Sequence, residues 1–476
     1  MIVALALSFG VSTALGILLL RRIWPVEAAP LPRLLVAALG TGLGAGISGA
    51  LLFPWLTLFG PTRAFPLAEA CLLAVVAIAR PRPAPAPPLE HRHPSAGPVR
   101  LVAPAFLVTL AAAAAAFVTM LRQEPHGGWD AWMNWNMRAR MIFLGGSGWR
   151  TAFSPELPWS HPDYPVLVPS LVVRAWLYAG AATLLGPALV AATFAFGTLA
   201  LLVGGLAALR RPSQGLLAGM VLLGTPFFIR HATSLYADVP LSFFFLATVV
   251  CLALDDRYGT ETRRFAMLAG FAAGLAVWTK NEGQLFTLAV LGGLVLAGWR
   301  SGWPDARRRL VAFGLGLLPL LVLVVSFKVS FAPPNDLLST LGIHRTVGRV
   351  TDPTRYAMVL RAYIVHLLSF GDNGLGGAVW PLAVCCGALG VSRPESRRPW
   401  ARAVAIALVL LLAGHFMVFV SMADELARLL KSSLDRLLLQ LWPSALFLGF
   451  MAARTLEEVG VPRPATEPHP SHALHS

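Results

Sequence analysis

The residues between 122 and 164 hold the densest set of groups that could do chemistry. The run GGWDAWMNWNMRARMIFL is followed shortly by PWSHPDYPVLVP. Trp129, Trp132 and Trp135 recur at i, i+3 and i+6, which places them near one face of a helix. Asp130 stands beside the first of them, and Arg138 and Arg140 follow two to three turns on. A carboxylate can take a proton, aromatic faces stack on sugar C–H surfaces, and guanidinium groups grip phosphate oxygens in pairs. Together these are the groups a sugar-phosphate site needs. Tryptophans and long basic side chains also gather at membrane–water interfaces without any catalytic role, which accounts for the Trp residues taken alone. It does not account for Asp130, whose carboxylate gains nothing at such an interface.

Two further runs carry ionisable groups between apolar stretches. SLYADVPLSFFF places Asp238 two residues before Pro240, a proline suited to the first turn of a helix. The plain alternative for Asp238 is a helix N-cap, worth about 1 kcal/mol. GLAVWTKNEGQLF puts Lys280, Asn281 and Glu282 at a break between two apolar runs, where charge near lipid is expensive and tends to be functional. A simple salt bridge or snorkelling pair is the competing account.

The elements that must position these residues are membrane helices. Of 476 residues, 56% are hydrophobic and 13% charged, and mean hydropathy is +0.67. Soluble domains carry about 25% charged residues. Apolar runs long enough to cross a bilayer recur along the chain, rich in Leu, Ala, Val and Gly and without the period-two alternation of a barrel. The expected fold is therefore all-α, a polytopic transmembrane helical bundle. Spans are predicted at 2–20, 34–58, 66–80, 101–121, 186–209, 215–230, 241–255, 264–279, 283–299, 310–328, 376–391, 403–420 and 437–453, about thirteen in all. The segment 2–20 lacks a basic lead and a clear cleavage site, so it reads as a retained helix.

Arginine clusters orient the scheme. Arg21/Arg22/Arg33, Arg80/Arg82/Arg92/Arg100, Arg210/Arg211, Arg257/Arg263/Arg264, Arg300/Arg307/Arg308/Arg309 and Arg393/Arg397/Arg398/Arg402 mark cytoplasmic loops, which puts the N-terminus outside and the C-terminus inside. The apolar stretch 165–183 is left out of the count, because including it would send every later cluster outside. It also carries Arg174, so an interfacial or re-entrant helix is expected there. On this topology Glu124, Asp130, Glu156, Asp163, Asp238, Glu282, Asp336, Asp352, Asp372, Asp424, Glu425 and Asp435 fall on the outer side, and the polar chemistry faces the extracytoplasmic space.

The same clustering of Arg between apolar runs excludes nucleic acid as the reason for a net charge of +15. The four cysteines lie in apolar runs without metal-ligand spacing and read as small buried hydrophobes. Scarce Lys beside abundant Arg, Ala, Gly and Pro suggests a GC-rich bacterial genome, hence a bacterial inner membrane. Four regions are expected: three N-terminal helices in 1–80, a Pro-rich cytoplasmic linker in 81–98, the main helical domain in 99–456, and a disordered cytoplasmic tail in 457–476.

Taken in order, WDAWMNWNMRAR, HPDYPVLVP, YADVPL, WTKNEG and SSLDRLLLQLWP resemble the bacterial membrane glycosyltransferases of the GT-C superfamily, relatives of protein O-mannosyltransferases and of the aminoarabinose transferase of lipid A. The resemblance covers roughly 101–453 and leaves the first three helices as an addition. It departs from the family at Arg138 and Arg140, where Lys is frequent, and at ADELARLLKSS, which lacks an expected Trp-His pair. It implies a GT-C-like bundle with a large first extracytoplasmic loop containing interfacial helices. It implies a polyprenyl-phosphate sugar as donor, with a glycan, lipid or protein as acceptor. Asp130 would be the catalytic base for inverting transfer, and Arg138, Arg140 and Lys280 would hold the donor phosphate. Trp129, Trp132, Trp135, Asp163, Tyr164, Asp238, Glu282 and Arg436 would bind or orient substrate. No cofactor is required, although the superfamily leaves room for a divalent metal between Asp130 and Asp238. The reading of a different class is a lipid or solute transporter or flippase. That reading calls for ionisable residues at mid-membrane and for matching broken helices in two halves.

Overall fold

The computed structural model describes residues 1–24, 33–79, 96–259, 263–334, 343–372, 376–422 and 425–459. The linker expected at 81–98 lies outside this set up to residue 95, as do Asp336, Asp424, Arg80, Arg82, Arg92 and the tail from 460. Among the described residues the chain is helical apart from one antiparallel bridge, Val391 to Ala453.

The helices are α1 (Ile2–Ile23), α2 (Arg33–Phe59), α3 (Phe65–Ile78), α4 (Ala96–Gln123), α5 (Asn136–Leu144), α6 (Leu167–Ala179), α7 (Leu185–Leu209), α8 (Pro212–Leu223), α9 (Pro226–Thr233), α10 (Asp238–Tyr258), α11 (Arg264–Thr279), α12 (Glu282–Ser301) and α13 (Trp303–Ser330). They continue as α14 (Ile343–Val350), α15 (Pro353–Ser369), α16 (Val379–Leu389), α17 (Arg393–Ser396), α18 (Pro399–Ser421), α19 (Leu426–Ala452) and α20 (Leu456–Val459).

Eight helices, α1, α2, α4, α7, α10, α12, α13 and α18, are long and apolar enough to cross a bilayer. A ninth crossing is available if α8 and α9, bent by 66° at their junction, act as one. This is an integral membrane protein, with eight to nine clear spans among the described residues rather than the thirteen expected. The other four expected spans fall on α3, α11, α16 and α19. At about 1.5 Å per residue, the 11 to 16 residues of α3, α11 and α16 fall short of a hydrocarbon core of about 30 Å. Apolar composition alone did not reveal where each of those helices would stop. α19 is 27 residues long, but its first part, LARLLKSSLDR, is polar.

The centre of the bundle is α10, buried at every position from Asp238 to Asp255. A helix apolar on all sides belongs in such a place, surrounded by other helices rather than lipid. Consequently Asp238, its first residue, sits at the centre of one end of the bundle and Asp255 near the other. At the Asp255 end, carboxylates and arginines from five segments interlock. Arg309 meets Asp255 at 2.9 Å, Arg398 meets Asp256 at 3.2 Å, and Arg210 lies near both Glu395 and Glu458. Arginines from four of the six clusters that the sequence assigned to one side therefore meet at this end.

The N-terminal helices pack into this bundle. α2 passes Phe243 of α10 at Gly42, Leu275 of α11 at Gly46 and Leu167 of α6 at Gly49. α6 is not interfacial in the expected way, for every residue from Leu167 to Leu177 is buried by protein. Its Arg174 does not snorkel. It donates to both carboxylate oxygens of Glu69 on α3 at 2.9 Å, and to the hydroxyl and carbonyl of Ser8 on α1 at 2.8 and 2.5 Å. The Tyr178 hydroxyl donates to the same carboxylate at 2.8 Å. A buried charge of this kind is tolerable only when paired and fully hydrogen-bonded, as this one is.

Candidate functional site

The end of the bundle that carries Asp238 gathers four carboxylates and three cations from distant parts of the chain. Asp238 is fully buried and accepts four side chains. Lys280 Nζ stands 3.0 Å from one oxygen, and the Gln440 amide donates to the same oxygen at 2.6 Å. His231 Nε2 at 3.0 Å and the Arg436 guanidinium at 2.9 Å share the other. Asp238 was expected either to cap its helix or to orient substrate. It makes no capping hydrogen bond, since all its acceptor capacity is turned to these partners.

Arg436 extends the network. Its Nη2 lies 2.7 Å from an Asp130 carboxylate oxygen, so one guanidinium bridges Asp130 and Asp238 while resting over the Tyr236 ring at 4.9 Å. The glycines before Asp130 make this approach possible. Gly127 takes a left-handed φ of +75°, which side chains disfavour, and the Gly128 amide donates to the Ser234 carbonyl at 3.0 Å. The run that carries Asp130 is thereby pinned to the turn between α9 and α10. On the far side, Lys280 also contacts Glu282 at 2.6 Å. Burial alone would lower the pKa of Lys280, but Asp238 and Glu282 beside it more than offset that, and the net shift is upward. Lys280 is thus a firmly held cation. Its arrangement gives an alternating line, Asp130–Arg436–Asp238–Lys280–Glu282.

Asp163 adds a second strand to the cluster. Its carboxylate accepts from Asn281 at 3.0 Å and lies 3.5 Å from Lys328 of α13, which also donates to the Asp163 backbone carbonyl and to Asn281 at 3.2 Å. Tyr164 stacks on His161 and tilts against Trp135. Burial, with Glu282 nearby, pushes its hydroxyl above the ordinary range, so it keeps its proton.

Three expectations from the sequence change here. The Trp residues do not share a face. Ala131–Trp135 is a π-helical turn, which carries an extra residue and rotates the helix after it. Trp129 and Trp132 are 73% and 59% exposed, whereas Trp135 is packed away with Val168 and Ala237. Arg138 does not face a phosphate. It is completely buried and donates to the carbonyls of Tyr164, Ser160 and His161 at 2.7, 2.9 and 2.5 Å, and to Asn134. Burial pulls its pKa down to about 10. Arg140 is exposed and lines a separate hollow of about 190 Å³ with Trp132, His126 and Asn136.

Arg138→Ala should therefore act on folding rather than on ligand affinity. Three carbonyls, that of Ser160 buried and those of Tyr164 and His161 partly so, lose their donor at up to about 1–3 kcal/mol for each orphaned group, and Lys cannot restore the fork. Thermal denaturation should show a marked fall in Tm for this variant and little change for Arg140→Ala. Equal melting of the two would remove the structural role.

Four groups in or beside the cluster had no sequence signal strong enough to single them out: His231, Gln440, Lys328 and His415. Gln440 could have been found from its i, i+4 relation to Arg436 on one helix. His415 on α18 is buried with neither ring nitrogen partnered, and the Glu282 Oε2 is likewise buried without a hydrogen bond. As for a metal, no group of three or more His, Cys, Asp or Glu among the described residues is arranged to hold one. Between Asp130 and Asp238 the structure places the Arg436 guanidinium, an organic cation that holds both carboxylates, so no step is routed through a metal there.

Comparison of the chain with known protein families, with curated proteins and with solved structures returns no match. The resemblance seen in the motifs rests on those motifs alone.

Proposed function

We propose that this chain is a membrane glycosyltransferase of GT-C type that moves a sugar from a polyprenyl-phosphate donor to an extracytoplasmic acceptor. The observation that carries the reading is the line Asp130–Arg436–Asp238–Lys280–Glu282 at one end of the bundle, with Asp163 beside it, which draws on every motif that suggested the resemblance. Arg436 and Lys280, rather than Arg138, are the groups that would hold the donor phosphate. A phosphate oxygen that recruits Arg436 draws it from Asp130 and leaves that carboxylate free as a base. Asp130 then takes the proton of the acceptor hydroxyl while its oxygen attacks the anomeric carbon from the opposite face. The bond from that carbon to the phosphate oxygen breaks, its electron pair leaves with the lipid phosphate, and the configuration inverts. The leaving group departs without a general acid, so one base suffices. Tyr164, Trp129 and Glu282 would contact sugar or acceptor.

The transporter reading calls for charge at mid-membrane and paired broken helices. Here the ionisable groups gather toward the helix ends, and α8–α9 is the one sharply bent pair among the described residues. Those observations support the enzyme. The direct test is incubation of purified protein with a polyprenyl-phosphate sugar and an extract of envelope acceptors, reading release of polyprenyl phosphate. Folded protein that neither binds nor consumes any such donor would end the proposal.

The proposed orientation places the Asp130 end outside, with the N-terminus there and the C-terminus inside. In a chain with its four cysteines replaced, a cysteine at Ser147 should label from outside and one at Gly302 should not. The reverse pattern would invert the scheme.

A further inference from the structure

A crevice of about 510 Å³ opens along the first turns of α13, beside Arg263 at the start of α11, at the arginine-rich end and remote from Asp130. Arg263, Arg307 and Arg308 form its polar wall, and Val311, Ala312 and Leu315 its apolar one. The consecutive arginines of α13 divide sharply. Arg309 turns inward onto Asp255 at 2.9 Å, and Arg263 is held by Asp255 and Asp305. Arg307 and Arg308 are exposed, and no carboxylate among the described residues pairs with either. Two exposed positive charges, unpaired by any carboxylate among the described residues, thus flank the crevice.

The apolar wall leads along the membrane. Immediately beyond the crevice α11 and α13 meet backbone to backbone, for a side-chain carbon on Gly270 would strike the Phe313 carbonyl and one on Gly316 the Met267 carbonyl. The opening is therefore closed toward the bundle interior. Val311 and Leu315 are 56% and 59% exposed, and Leu318, Val322 and Val325 continue the same exposed strip up α13. A ligand that satisfies both walls needs an anionic head at the level of the arginines and a hydrocarbon tail lying along α13. Basic pockets at the end of membrane helices suit the phosphate of an acidic lipid for this reason, whereas a soluble anion would use only half of the site.

We infer that this crevice is a binding site for the headgroup of an anionic phospholipid, with one acyl chain laid against α13. The site does not depend on the glycosyltransferase reading, since it shares no residue with the Asp130 cluster. The test uses the purified full chain in neutral detergent, with thermal denaturation and native mass spectrometry read against added phosphatidylglycerol, phosphatidylcholine or inorganic phosphate. Phosphatidylglycerol should raise Tm and be retained on the protein, and the other two should do neither. Neutralising both exposed arginines in an Arg307→Gln/Arg308→Gln protein should weaken phosphatidylglycerol binding by about 20-fold. An Arg393→Gln/Arg397→Gln protein, altered at exposed arginines outside the crevice, should bind as the parent does. Equal effects of the two lipids, undiminished binding by the first variant, equal weakening in the second, or stabilisation by inorganic phosphate alone would each overturn the inference.

Discussion

Asp130→Asn protein should bind its donor and turn it over about 100- to 10,000-fold more slowly than the parent, the usual loss when a general base is removed. The amide keeps the size of the carboxylate and can still accept a hydrogen bond from Arg436, but it cannot take a proton at neutral pH. Folding should survive. The Asp130 side chain is 31% exposed, and Arg436 retains Asp238 as a second partner. Partly exposed ion pairs contribute little to stability. The decisive measurement is turnover of a polyprenyl-phosphate sugar by purified variant in detergent, beside its donor affinity. Near-normal turnover would end the base assignment and pass the role to Glu282, whose Oε2 is buried without a hydrogen bond.

Asp238→Asn should behave quite differently, with a loss of fold that precedes any loss of chemistry. Read from the sequence as a cap, Asp238 would be a mild site. In the structure it is a buried anion between Lys280 and Arg436, with His231 and Gln440 completing its shell. Removing one partner of a buried pair leaves the remaining charge uncompensated and destabilises by about 3–5 kcal/mol. Thermal denaturation should show a clear drop in Tm, and Asp238→Asn combined with Lys280→Met should recover part of it, because the uncompensated cation is then gone. A single variant that melts with the parent, or a double variant that melts below the single one, would show that the hub does not hold this end of the bundle together.

The difference between these two acids shows what was legible in the sequence. Composition and arginine spacing were enough for an all-helical membrane protein in which arginines of four basic clusters meet at one end, because both follow from the solvent each segment meets. The motifs were enough to bring Asp130, Asp163, Asp238, Lys280 and Glu282 into one place. What they could not show is which way a side chain turns. Arg138 and Arg140 differ by two positions on one helix, yet Arg138 spans three backbone carbonyls and Arg140 faces open space. That outcome depends on the π-helical turn before them, and no residue in AWMNW announces it. His231 and Lys328 were silent because their partners are seven and 165 positions away, and tertiary packing alone joins them.

The ion pair between Glu69 and Arg174 has a consequence for how the chain is made. The two residues lie 105 positions apart, and α3 is synthesised long before α6 exists. At a synthesis rate of about 5–20 residues per second, the carboxyl waits for roughly 5–20 seconds before its guanidinium partner leaves the ribosome. In that interval α3 carries an acid without the partner that Arg174 later supplies, and such a group is costly to bury unpaired. Arrival of α6 supplies the missing cation, and with it the hydrogen bonds to Ser8 that lock α1, α3 and α6 together. The amino-terminal helices thus act as a waiting socket, and their final seating is a late event timed by translation of residues well over a hundred positions downstream of α1.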